Sequence, residues 1–239
     1  MSRLFFVRHA QASFLEANYD RLSPRGEQQA ALLGAYWARH KLKFNRVCTG
    51  PCVRQIETSR IVRDSMLGAG LSFPEPIWLP EFDEYQGEAV MNDGLPQLVE
   101  RESTIRDLYE AYDQSSEPAD RYLAFQRLFE AVITIWVNGE IALDGVEPWS
   151  DFCGRVNRGI SSFLSAGSSR EQVAIFSSGG PTSVAVQRAL ALTPLKTVQL
   201  SWMIRNCAYS EFVYSSDRFS LSAFNAIPHI DDETMRTYR

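Results

Sequence analysis

The chain has 239 residues, 45% of them apolar, which suits one domain with a sizeable core, or one domain carrying a large insertion. Its formal net charge of -5 argues against a nucleic-acid binder, which normally presents a basic face. A few local arginines can still dominate one pocket, so a small anionic substrate stays open.

Leu4-Phe5-Phe6-Val7 is an unbroken apolar run that stops at Arg8-His9. Such a run predicts a buried strand. Arg8 and His9 then fall at its carboxyl end, where open α/β sheets bind ligands. The run is too short for a secretory leader, and no stretch approaches the roughly 18 apolar residues of a membrane span. A polar loop follows from Gln11 to Leu22. Ser23-Pro24 reads as a helix start, with Ser23 as N-cap and Pro24 in the first position; Ala30, Leu33 and Trp37 continue at helical spacing. Phe44 to Cys48 predicts a second strand, and Thr49-Gly50-Pro51 turns the chain into a helix from about Cys52 to Met66. Arg54, early in that helix, is expected near the same strand-end rim as Arg8. Gly68, Gly70 and Pro74 break the helix. Ile77-Trp78-Leu79 is a short strand, with Glu81 directly after it.

The next segment changes character. Leu95 to Ala111 and Arg121 to Val137 read as helices separated by the loop Asp113 to Asp120, with apolar stripes Leu98, Ile105, Leu108, Tyr112 and Leu128, Val132, Ile135, Trp136. No strand pattern interrupts them, so a helical insertion at about 88–147 is expected within a single domain, 1–239. Alternation then resumes: a helix from Trp149 to Leu164, a buried strand Val173 to Phe176, the small-residue turn Ser177-Ser178-Gly179-Gly180, and a helix opened by Pro181 and running to about Leu192. Two more strands are expected near Cys207 to Tyr214 and Phe219 to Phe224.

His9 is the first candidate for chemistry. Neutral imidazole is a good nucleophile toward phosphorus. Neighbouring arginines disfavour the imidazolium, and their guanidinium groups hold phosphoryl oxygens by paired hydrogen bonds. Glu81, at a strand end, could serve as general acid. Strand, small residues, then helix start is the shape of an anion site, which nominates Ser178 and Gly179. A tight turn that merely packs is the alternative there. A nucleophilic Ser178 is disfavoured because the G-x-S-x-G elbow is absent. Cys48, Cys52, Cys153 and Cys207 have no His cluster nearby and read as reduced thiols of a cytoplasmic protein.

Taken in order, these pieces resemble the histidine phosphatase superfamily, also called phosphoglycerate mutase-like, over nearly the whole chain. Val7-Arg8-His9-Ala10-Gln11 is similar to its Arg-His-Gly signature, with Ala10 for the usual Gly. Leu22 to Ala30 resembles the Leu-Thr-x-x-Gly-x-x-Gln-Ala segment, and Cys48 to Thr58 the Ser-Ser-x-x-x-Arg-x-x-x-Thr stretch. Leu79-Pro80-Glu81 matches Leu-x-Glu, and Phe224-Asn225 with His229 resembles the common ending. With the strand–helix alternation, the expected fold is α/β: a three-layer α/β/α sandwich with a mostly parallel central sheet and a helical cap insertion roofing the pocket.

The resemblance implies that His9 is a nucleophile forming phosphohistidine, that Arg8 and Arg54 clamp the phosphoryl oxygens and that Glu81 protonates the leaving oxygen. It implies no cofactor and no metal. One departure stands out: the family's second His follows the late strand in Ser-His-Gly, and Ser178 holds that position here. Losing a charge-assisted donor of this kind costs ~2.7–4 kcal/mol, or ~100–1,000-fold in rate, part of which a Ser178 hydroxyl can retain. His40 reads as structural or solvated, and His229 as a residue that could reach the rim.

The expected function is a metal-independent phosphatase, of normal or reduced rate, acting on a small phosphorylated substrate. A phosphoprotein substrate and a homodimer stay open; nucleic acid and membrane are not expected partners. The alternatives are a silent phosphoryl-binding protein on the same fold and a phosphoglycerate mutase-like phosphotransferase.

Overall fold

The computed structural model describes residues 1–13, 20–165 and 170–238, which fall into two compact units. The first comprises Met1–Glu84 and Arg155–Arg239. Its sheet has six strands in the order β3-β2-β4-β1-β5-β6. These are β1 (Ser2–Arg8), β2 (Arg46–Thr49), β3 (Ile77–Trp78), β4 (Gln172–Ser177), β5 (Tyr209–Tyr214) and β6 (Phe219–Ala226). The β1–β4, β4–β2 and β2–β3 pairs are parallel; β5 and β6 add antiparallel edges.

The apolar run of β1 is explained by its place between β4 and β5, with both faces covered. On one face, Phe5 and Val7 pack with Ala30, Leu33 and Trp37 of α1 (Pro24–Arg39) and with Val62 and Met66 of α2 (Val53–Gly68). On the other, the Phe6 ring meets Phe82 edge-on at 5.4 Å, and Phe82 stacks on Phe163 at 6.2 Å. Helices on both faces of a mostly parallel sheet make the three-layer α/β/α sandwich.

Helix starts follow their local signals. Ser23 accepts from the Gly26 N–H and Pro24 takes the first helical position, as expected for α1. The loop expected from Gln11 to Leu22 includes residues 14–19, which lie outside the described residues. Its two ends meet through the Ser13 N–H to Arg21 carbonyl and the Ser23 N–H to Gln11 carbonyl, both 2.9 Å.

The second unit, Tyr85–Gly154, is helical. After a π-helical turn at Val90–Gly94 come α3 (Leu95–Arg101), α4 (Ser103–Gln114) and α5 (Pro118–Val137). The single helix expected from Leu95 to Ala111 is thus broken at Glu102, whose backbone is extended (φ -117°, ψ 111°). Arg106 makes the break affordable: its guanidinium donates to the Val99 and Glu100 carbonyls that the interruption frees. Leu98, Ile105, Leu128, Val132 and Trp136 are buried as their spacing predicted. Tyr85, Trp136, Trp149 and Phe152 form an aromatic cluster with ring centroids 5.2–6.1 Å apart.

Helix α6 (Trp149–Ser165) precedes β4, and α7 (Gly179–Leu190) follows it. Helix α7 begins two residues earlier than Pro181 suggested; a proline in the first turn is tolerated because those N–H groups have no intrahelical acceptor. A further helix, α8 (Pro194–Met203), was not anticipated, although Thr193-Pro194 carries the same start signal as Ser23-Pro24. No helix among the described residues is long and apolar enough to cross a membrane.

Candidate active site

Strand β1 delivers His9 to its carboxyl end, where the His9 N–H donates to the Ser177 carbonyl of β4 at 2.7 Å. The Cys207 N–H holds the His9 carbonyl at 3.1 Å. Backbone bonds on both sides therefore fix the residue. Its side chain is only 4% exposed. Nδ1 lies 2.8 Å from the Ala10 carbonyl, and Nε2 lies 3.2 Å from Arg54 Nε, which donates to it. A carbonyl can only accept and a guanidinium can only donate. These partners assign the proton to Nδ1 and leave a lone pair on Nε2.

Burial, then the Arg54 and Arg8 charges, hold the His9 imidazole well below its ordinary pKa of 6.5; the Ala10 carbonyl opposes them. This favours the neutral ring, chiefly through burial, with the two arginine charges acting in the same direction.

Arg54 is placed by the start of α2. Asp20 accepts from the Val53 N–H at 2.8 Å and from the Arg54 N–H at 3.4 Å, and pairs with Arg54 Nη1 at 2.7 Å. One carboxylate thus caps the helix and aims the guanidinium. A turn later, the Thr58 hydroxyl donates to the Arg54 carbonyl at 2.7 Å and accepts the Ala10 N–H at 3.0 Å, tying α2 to the residue after His9. Arg8 donates through Nη1 to the Ile204 carbonyl. Asn225, from the ending segment, brackets that carbonyl: it accepts the Arg205 N–H and donates to the Met203 carbonyl, each at 2.8 Å.

Arg8, His9 and Arg54 are therefore brought together. Ser178 stands one residue beyond the Ser177 partner of His9, and its hydroxyl accepts from Gln55 Nε2 at 2.7 Å. Gly179 is closely packed: a Cβ there would lie 2.8 Å from the Ser201 carbonyl oxygen. The next amide, of Gly180, donates to the Glu84 carboxylate at 3.1 Å, so a carboxylate of the chain itself sits at the start of α7. Glu81 packs its Cβ against Gly159 of α6, and its Oε2 is buried with no hydrogen-bond partner among the described residues. Asp20, Gln55 and Glu84 were missed, whereas Thr58 is the threonine that closes the Arg-x-x-x-Thr stretch. The C-x-x-Q spacing of Cys52 and Gln55 was a readable sign of a capping box.

No group of three or more His, Cys, Asp or Glu among the described residues is arranged to hold a metal ion. All four cysteines are free thiols. Cys52 donates to Asp83 at 3.1 Å, and burial pushes its thiol up to about 12. His40 is the C-cap of α1. His229 is buried beside Tyr36, with ring centroids 6.3 Å apart.

The buried imidazoles predict acid lability. Burial pushes His229 from 6.5 down to about 4, against a smaller opposing effect of the Cys207 backbone. Above 6.5 neither folded nor unfolded chain binds the proton. As pH falls from 6.5 toward 4, the unfolded chain binds it and the folded one does not, so stability is lost through that window. His229→Gln is expected to lose less of its urea midpoint between pH 7 and pH 5 than the wild type, and an equal loss would refute the assignment.

The family model for the histidine phosphatase superfamily (branch 1) matches residues 124–227. No curated protein matches the sequence. Solved structures share the fold over nearly the full length. The phosphoglycerate mutase of Bacillus anthracis str. Sterne is 14% identical, with 95% of this chain and 94% of that one covered and a TM-score of 0.62. Bacillus stearothermophilus YhfR is 16% identical, covering 97% and 100%, with a TM-score of 0.65. Mycobacterial glucosyl-3-phosphoglycerate phosphatase is 15% identical, covering 95% and 99%, with a TM-score of 0.58.

Proposed function

We propose that the chain is a member of the histidine phosphatase superfamily, whose family model matches residues 124–227, and that it hydrolyses phosphomonoesters through a phosphohistidine on His9. The observation that carries this reading is the state of the imidazole: buried, neutral, with its proton directed to Ala10 and its Nε2 lone pair facing Arg54.

In the first half-reaction, Nε2 attacks phosphorus as the bond to the leaving oxygen breaks. Glu81 gives that oxygen a proton and the alcohol departs. In the second, Glu81 takes a proton from water, whose oxygen attacks the phosphohistidine. Inorganic phosphate and neutral His9 are regenerated, and the carboxyl is reset. Arg8 and Arg54 hold the equatorial oxygens, the electrostatic work that a metal does in other phosphoryl transfers. The Glu81 Oε2 supports its role, since a buried carboxyl oxygen with no hydrogen-bond partner among the described residues is available to a leaving group or water.

The test is phosphate release from an aryl phosphate at slightly acidic pH with a chelator present. Release that persists in chelator is expected. No release from this or any of a panel of small phosphomonoesters would reject hydrolysis.

A further inference from the structure

We infer that Gln55 and Ser178 form one uncharged donor unit for the phosphoryl group, in which Gln55 is a positioning residue that aims the Ser178 hydroxyl. The inference rests on the phosphoryl-transfer reading above and adds a residue that neither the composition nor the motif order singled out.

The side chain of Gln55 is fully buried, and its partners assign its orientation. Its Oε1 accepts the Cys52 N–H at 3.1 Å, completing the capping box that starts α2. With the oxygen committed to a backbone donor, the amide nitrogen must face the other way, and it donates to Ser178 Oγ at 2.7 Å. Gly50 leaves room for this: a Cβ there would lie 2.2 Å from Gln55 Oε1.

Ser178 is the N-cap of α7, with extended backbone (φ -124°, ψ -176°), and is 1% exposed. A serine at that place ordinarily spends its oxygen on an N–H of the first turn. This one makes no such bond. The N–H in question, that of Gly180, is taken instead by the Glu84 carboxylate. Glu84 therefore relieves Ser178 of capping. Because Oγ accepts from Gln55, the hydroxyl proton points away from the amide, and it donates to no protein group among the described residues. Ser178 follows the Ser177 whose carbonyl receives the His9 N–H, and Gln55 follows Arg54 on α2, so each member of the unit is the chain neighbour of a residue bonded to His9. A phosphoryl oxygen is the acceptor this oriented hydroxyl lacks. The unit has no proton to lose in the physiological range, so it adds no pH limb of its own.

The experiment compares wild type with Gln55→Met, Ser178→Ala and the double variant, reading orthovanadate affinity by calorimetry and kcat/KM on an aryl phosphate. Each single substitution is expected to weaken orthovanadate about 10- to 100-fold, the range for a hydrogen bond to a charged group. The double variant is expected to be no weaker than Ser178→Ala, because Gln55 acts only through Ser178. Ser178→Thr, which keeps the hydroxyl, should remain sensitive to Gln55→Met. Multiplicative losses in the double variant, or unchanged affinity in Ser178→Ala, would overturn the inference. Gln55→Asn, which withdraws the amide by one methylene, replaces Gln55→Met should the latter fail to fold. Coupled orthovanadate binding without phosphate release would support the donor unit and remove the hydrolysis reading. No orthovanadate binding by the wild type would overturn both.

Discussion

His9→Ala is expected to reduce phosphate release to the buffer rate and to abolish acid-labile, alkali-stable labelling of the protein by a radiolabelled phosphomonoester. Loss of a nucleophile in covalent catalysis removes the whole two-step route, so the expected fall is on the order of 1,000-fold or more. The substitution leaves the backbone bonds of residue 9 to Ser177 and Cys207 in place, since neither involves the ring. The thermal midpoint should therefore change little compared with the activity. His9→Gln, closer in volume, should be equally inactive. A label that persists in His9→Ala would show that another residue takes the phosphoryl group.

Arg54→Ala carries the second large effect, and it has two separable parts. The guanidinium supplies both a hydrogen bond and a charge, and its removal should lower kcat/KM by ~100–1,000-fold, as for a donor to transition-state oxygens. The same charge helps hold the His9 imidazole below its ordinary pKa. With Arg54 gone, that pKa rises, the ring begins to protonate at a higher pH, and the acid limb of the kcat/KM profile moves upward. Part of the deficit at pH 5.5 should then be recovered at pH 7.5. Arg54→Lys should restore part of the charge effect without the planar fork, leaving the limb nearer its wild-type position while the maximum stays low. An unmoved limb in Arg54→Ala would mean that the guanidinium does not control the imidazole. Asp20 bears on the same residue: its carboxylate holds Nη1 at 2.7 Å, so an incoming phosphoryl group competes with it for Arg54.

The parts of the fold that were legible in the chain are those whose cause is local. Leu4 to Val7 reads as a covered strand because a strand packed on both faces of its sheet has no polar face to show. Ser23-Pro24 reads as a helix start because one hydroxyl and one missing N–H suit the first turn wherever it occurs. Where several local signals compete, reading fails. The apolar spacing of Leu95 to Ala111 continues across Glu102, and only the carbonyls captured by Arg106 reveal the break. Thr193-Pro194 repeats the Ser23-Pro24 signal only three residues after the end of α7 at Leu190, where Ala191 in the left-handed conformation (φ 54°) stops the helix without the glycine that usually marks such a stop.

The kind of fold and the two neighbours at its centre are written in the order of the residues. Apolar runs and caps specify the elements, and adjacency in the chain places Arg8 beside His9. How the remaining groups are used depends on packing. Gln55 reaches Ser178 across 123 positions, Glu84 reaches Gly180 across 96, and Asp20 reaches Arg54 across 34. Each of these bonds depends on which way a side chain points once strands β1, β2 and β4 lie side by side, and no spacing rule encodes that direction. The same chain that announces a histidine and an arginine by their order thus leaves to packing whether the imidazole keeps its lone pair, and whether a serine caps a helix or is freed to donate.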